Sequence, residues 1–79
     1  MDGNLAFEYD RIGDILYINK CSVYAEQTST EISAGVIARL NPISQSVENL
    51  EILWFSRRMQ QGESLELPIA VDWQLATAA

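Results

Sequence analysis

The stretch Gly35–Phe55, G-V-I-A-R-L-N-P-I-S-Q-S-V-E-N-L-E-I-L-W-F, constrains the fold more than any other part of the chain. Two apolar runs rich in β-branched residues flank a polar insert that opens on Asn41-Pro42, which is the pattern of a hairpin. Val36, Ala38 and Leu40 share one face of the first run, Gly35–Leu40. Leu50, Ile52 and Trp54 share one face of the second, Val47–Phe55, with Glu51 on the reverse. If the two apolar sets meet on the core side, Arg39 and Glu51 emerge together on the opposite face, where a cross-strand ion pair is worth about 0.2–1 kcal/mol. Ile37, Leu53 and Phe55 fall on that reverse face as well, so it is expected to be partly apolar and to need cover.

The segments on either side extend this plan. Leu5, Phe7 and Tyr9 alternate with Ala6 and Glu8, the period-two pattern of a half-buried strand. Asp10-Arg11-Ile12-Gly13-Asp14 supplies turn residues, and Ile15–Lys20 resumes as a second strand. The short connection makes the two an antiparallel pair. Cys21–Ser33 is more polar; Val23, Ala25 and Thr28 are its candidates for a third strand at an edge, or for an extended loop. Ser56–Gly62 is expected as a short helical turn, with Ser56 as N-cap and Gly62 in a left-handed conformation at its end. Arg57 and Arg58 in its first turn oppose the helix dipole and argue against a long helix. Leu65, Leu67 and Ile69 then alternate through Pro68, which cannot donate to a ladder, so an edge strand or extended strap is expected. Trp73 is expected to pack as a last anchor, and Leu75–Ala79 to fray.

A chain of 79 residues has room for one domain, with a core from about residue 5 to residue 70 and a frayed tail at 74–79. So short a chain buries a modest fraction of its surface and usually needs a disulfide, a metal or self-association. One cysteine, Cys21, excludes an internal disulfide, and the absence of histidine removes the commonest metal ligand. Self-association, most simply as a homodimer, is what remains. The 48% hydrophobic content excludes wholesale disorder. Eleven acidic against five basic residues, a formal charge of −6, argue against direct nucleic-acid binding. Met-Asp-Gly-Asn at the start lacks the basic and apolar segments of a signal peptide, and no apolar run approaches the roughly 18 residues of a membrane span. A cytoplasmic protein is expected.

Few residues suggest chemistry. Asp10 and Asp14 flank a turn at a four-residue spacing and would suit a hard cation, but such loops concentrate more oxygen ligands, and turn-capping by each aspartate is favoured. Glu48 with Glu51, or Glu63 with Glu66, would need to line a pocket to divide acid and base roles. Solvated surface is the simpler assignment. Cys21 has no histidine to activate it and only Lys20 as a cationic neighbour. Trp54, Phe55, Arg57 and Arg58 form the one cluster suited to an interaction surface, because aromatic residues and arginine concentrate at interface hot spots. Against this stands their use as core aromatics beside solvated arginines. No catalytic constellation, cofactor site or metal site is assigned.

Tyr9-Asp10, Asp14 and Leu16-Tyr17-Ile18 match a Y-D-x-x-x-D-x-L-Y-I opening, and Gly35-Val36-Ile37 and Leu50-Glu51-Ile52-Leu53 match two later strand motifs. The stretch from Phe7 to Ser56 thereby resembles a small prokaryotic family, the domain of unknown function 2283 family. The chain departs from the family pattern in three places. Asn41–Ser46 replaces an acidic, glycine-containing turn, Trp54-Phe55-Ser56 replaces Asp-Ala-Ser, and Asn49-Leu50 stands where the family tends to have Gly-Ile. The family has no established activity, so the resemblance implies a fold and no mechanism. Small families of this kind often neighbour toxin genes, which implies an antitoxin-like partner of a small basic toxin as a second function beside the first, a self-associating, non-enzymatic interaction module. A weak metal-dependent enzyme using Asp10 and Asp14 is the third. The fold expected is α+β and mostly β: an antiparallel sheet of four or five strands built from two hairpins, one short helix and a C-terminal strap.

Overall fold

The structure is a computed structural model and describes residues 3–62 and 64–76. Five strands, β1 (Ala6–Asp10), β2 (Ile15–Asn19), β3 (Thr28–Ser33), β4 (Val36–Leu40) and β5 (Val47–Leu53), form one antiparallel sheet in the order β1-β2-β5-β4-β3. The short helix α1 (Phe55–Gln60) follows β5. This is the small, mostly β architecture that the alternation and the short connections imply.

The central hairpin is the middle of the sheet. Val36 lies opposite Ile52 and Ala38 opposite Leu50, and these four side chains are the buried core. Leu16 and Ile18 of β2, Ile32, Leu40, Val47 and Phe55 pack around them. Leu65, Leu67 and Ile69 close over the same face from an extended strap that joins no ladder, as Pro68 requires. Burying Val36, Leu50 or Ile52 stabilises the fold by roughly 1.5–3 kcal/mol each, and the strap adds partly buried apolar area to this small core.

The reverse face carries Ile15, Tyr17 and Asn19 beside Leu53, Glu51 and Asn49, and then Ile37 and Arg39. Arg39 and Glu51 pair here as expected, with Nη2 2.6 Å and Nε 2.9 Å from Oε2. Their geometry is diagonal, since Arg39 lies directly opposite Asn49. The expected cover is distributed differently. The strap takes the core face, and the 21–27 segment folds over the Asn49 end of the reverse face. Asn49 is 1% exposed and fully bonded: it donates to Asn19 Oδ1 and Cys21 O and accepts from Gln27.

Several local expectations are corrected. The third strand is Thr28–Ser33, at the edge but without Val23 and Ala25. Those two stay in a loop because Tyr24 and Gln27 are drawn across the sheet end to Glu48 and Asn49. The first strand is shifted by one residue and is largely exposed rather than half-buried, in keeping with its place at the edge of the sheet. The run from Val47 ends at Leu53, because Trp54 adopts a left-handed conformation (φ 56°) that turns the chain out of the sheet. That turn exchanges the two aromatics relative to simple alternation. Trp54 leaves the face of Leu50 and Ile52, whereas Phe55 packs against the core, its ring edge-on to Tyr9 at 6.0 Å. Ser56 is not the N-cap; Trp54 occupies that position and Ser56 lies within the first turn. Gly62 is left-handed (φ 73°), and its N–H reaches Met59 O. Trp73 is 73% exposed and anchors nothing. Of Leu75–Ala79, residues 77–79 lie outside the described residues.

Candidate functional site

Three clusters gather the polar and aromatic residues. The first starts at the β1–β2 turn. Asp10 Oδ1 accepts from the N–H groups of Ile12 and Gly13 at 3.0 and 3.2 Å, which closes the turn and delivers Asp14. Asp14 is left-handed (φ 57°) and turns away from its own loop toward the start of α1. Its carbonyl accepts from Phe55 N at 3.0 Å, its Oδ1 from Ser56 N at 2.8 Å and its Oδ2 from Ser56 Oγ at 2.9 Å. Tyr9 donates its phenol to the same Oδ1 at 2.5 Å. A six-residue helix whose N-cap is a tryptophan has no capping oxygen of its own, and Asp14 supplies one from 42 residues away. The Tyr9 hydrogen bond, then the Ser56 amide, holds the Asp14 carboxyl below its usual range. The same bond raises the Tyr9 phenol.

The second cluster is the corner predicted as an interaction surface, and the structure divides it. Phe55 is turned inward. Trp54 is 48% exposed and lies over Gly35, whose left-handed backbone (φ 73°) and missing side chain make the approach possible. A Cβ at residue 35 would stand 2.5 Å from both the Trp54 ring and Arg58 Nη2. Arg58 is spent on the fold: its guanidinium sits 5.6 Å from the Trp54 ring centroid, Nε donates to Leu53 O, and Nη2 donates to Ala34 O. Arg57 is exposed and rims a shallow depression with Ala34, Trp54 and Gln61.

The third cluster was not legible beforehand. A bulge opposite Leu40 frees Glu48, which accepts from Tyr24 Oη at 2.6 Å, Gln27 Nε2 at 2.9 Å and Asn41 Nδ2 at 3.1 Å. These donors, Tyr24 foremost, lower the Glu48 carboxyl, and Glu48 pushes the Tyr24 phenol up to about 12. The sequence separation of 24 residues between Tyr24 and Glu48 hides the pair from any local pattern.

Each group with a displaced pKa in these clusters is held in the charge state it already has at neutral pH. The donors responsible are side chains and amides of the fold itself, Tyr9 and Ser56 for Asp14, and Tyr24, Gln27 and Asn41 for Glu48. Glu48 and Glu51 turn to different partners, Tyr24 and Arg39, and do not act as a pair. Glu63 lies outside the described residues and Glu66 is exposed. Cys21 is exposed and unpaired. Both Asp14 oxygens are engaged by donors, and among the described residues no three acidic or thiol side chains gather to hold a metal. Among the described residues, too, no helix is long and apolar enough to cross a membrane.

A broad concave surface lies elsewhere, between the sheet and the C-terminal strap. Phe7, Ile18 and Leu50 form its floor, and Leu67, Val71 and Trp73 form its wall. Phe7 is 59% exposed in it, so the trough is an unfilled continuation of the core. Comparison with known proteins adds no assignment: no family model, curated protein or solved structure matches the chain.

Proposed function

We propose that the protein is a non-enzymatic interaction module that self-associates. One observation carries this reading: among the described residues four hydrophobic side chains are buried, while eleven large ones remain exposed. The surface area supports it. The chain exposes 5979 Å², against about 4,800 Å² for a compact monomer of this mass. Its radius of gyration of 13.4 Å likewise exceeds the roughly 11.6 Å of a compact chain of this length. A second copy is the simplest way to cover the excess.

The resemblance to the domain of unknown function 2283 family belongs to the same proposal, and its motif residues have structural work here. Tyr9 and Asp14 latch α1, Asp10 closes the turn, and Gly35 admits Trp54 and Arg58. A cytoplasmic location is part of the proposal, supported by one unpaired exposed thiol. Size exclusion with light scattering over a dilution series tests the reading. A dimer that dissociates only at low concentration is expected, and a monomer at every concentration overturns it.

A further inference from the structure

We infer that β1 is the self-association edge, and that a second copy of the chain adds its own β1 to it, antiparallel, to make one continuous ten-stranded sheet. The inference rests on the self-association reading and assigns its surface.

Four features single out this edge. Its ladder to β2 runs through five residue pairs without a register shift, so its outer side is a regular row of backbone donors and acceptors. Among the described residues no backbone hydrogen bond outside that ladder reaches Ala6–Asp10. The strand A-F-E-Y-D has no lysine, proline or bulge, the devices that usually blunt an edge. Finally, Leu5, Phe7 and Tyr9 line up beside it on the core face, each more than a third exposed, and Leu5 and Phe7 line the trough together with Val71 and Trp73.

The side chains also choose a register. A two-fold axis through Glu8 would set Glu8 against its own copy, which like charges disfavour. An axis through Phe7 sets Phe7 against Phe7, Leu5 against Tyr9 and Ala6 against Glu8. Each apolar residue then meets an apolar one on the core face, and each Glu8 meets a methyl group. The area is sufficient. The exposed parts of Phe7, Tyr9 and Trp73 amount to about 350 Å² of aromatic surface, to which Leu5 and Val71 add. A standard interface needs about 800 Å² per partner, a little over half of it apolar.

The test uses the full chain and separates the edge from the reading beneath it. Phe7→Lys places a charge at the proposed axis on an exposed side chain, so the fold should persist by circular dichroism while the dissociation constant rises at least 100-fold. Thr30→Lys on β3 and Ile37→Lys on the reverse face should leave it unchanged. A positive readout accompanies this: in a Cys21→Ser background, Phe7→Cys should oxidise to a cross-linked dimer and Thr30→Cys should not. A wild-type chain monomeric at all concentrations overturns both the edge and the self-association reading. A wild-type dimer that survives Phe7→Lys, cross-links through residue 30, or fails to cross-link through residue 7 overturns the edge alone.

Discussion

The two edges of the sheet differ in kind. β3 is polar, T-S-T-E-I-S, and its register shifts between Glu31 and Ser33. It is also tied down at its far end, where Glu31 Oε2 accepts from Gly35 N at 3.0 Å and Ala34 O accepts from Arg58. β1 has an unbroken register, and its apolar side chains stand beside an unfilled trough. One edge ends the sheet and the other leaves it open to extension. Both flank the same core, so the difference comes from what each strand carries and from what the chain lays over it.

The anchored edge should break most severely at Gly35. Gly35→Ala puts a Cβ into the Trp54 ring and the Arg58 guanidinium at a left-handed position, and should destabilise the chain by about 2–4 kcal/mol in urea unfolding. Next in size is Asp14→Ala, at the turn of the open hairpin. It removes the acceptor for Tyr9, Ser56 N and Ser56 Oγ together, so stability should fall and α1 should lose its helical signal first. A loss confined to the helix would sharpen the contrast, because β1 would then be shown to pair without its latch. A milder probe is pH. The Asp14 and Glu48 carboxyls are depressed in the fold, so their contribution is complete above the ordinary carboxyl range and is lost as pH falls through their folded values. Stability should therefore decline below about pH 4.5. The Tyr24 phenol is raised to about 12, so its contribution is complete below pH 10 and disappears between 10 and 12; a late-titrating tyrosine in ultraviolet absorbance checks it. Smallest of all should be Thr30→Val on β3, within about 0.5 kcal/mol of the parent, because that edge position is exposed and polar by choice rather than by need.

The core was legible in the sequence because a sheet writes its inner face as strict alternation. Val36 and Ala38 could be assigned to one face of their run, and Leu50 and Ile52 to one face of theirs, and the Arg39–Glu51 pair followed from the same parity once those faces met. Parity fails where the backbone leaves the strand region. A single left-handed residue, Trp54, inverted the assignment of both aromatics, and nothing about tryptophan announces that conformation. The capping of α1 was equally hidden: Ser56 is a good N-cap by type, yet its amide and hydroxyl both serve as donors to Asp14. The trough was missed because the C-terminal segment alternates convincingly through Ile69, and only its path shows that Trp73 stays outside.

The latch has a kinetic corollary. A helix of six residues is far below the length at which an isolated helix persists in water, so α1 depends on Asp14 being in place first. Asp14 is in place only once β1 and β2 have paired around the Asp10 turn. The helix is therefore the last element to form and the first to open. In native-state hydrogen exchange its amides should exchange ahead of those of β5, from which they directly descend, and should quicken further when the first hairpin, 42 residues away in sequence, is loosened.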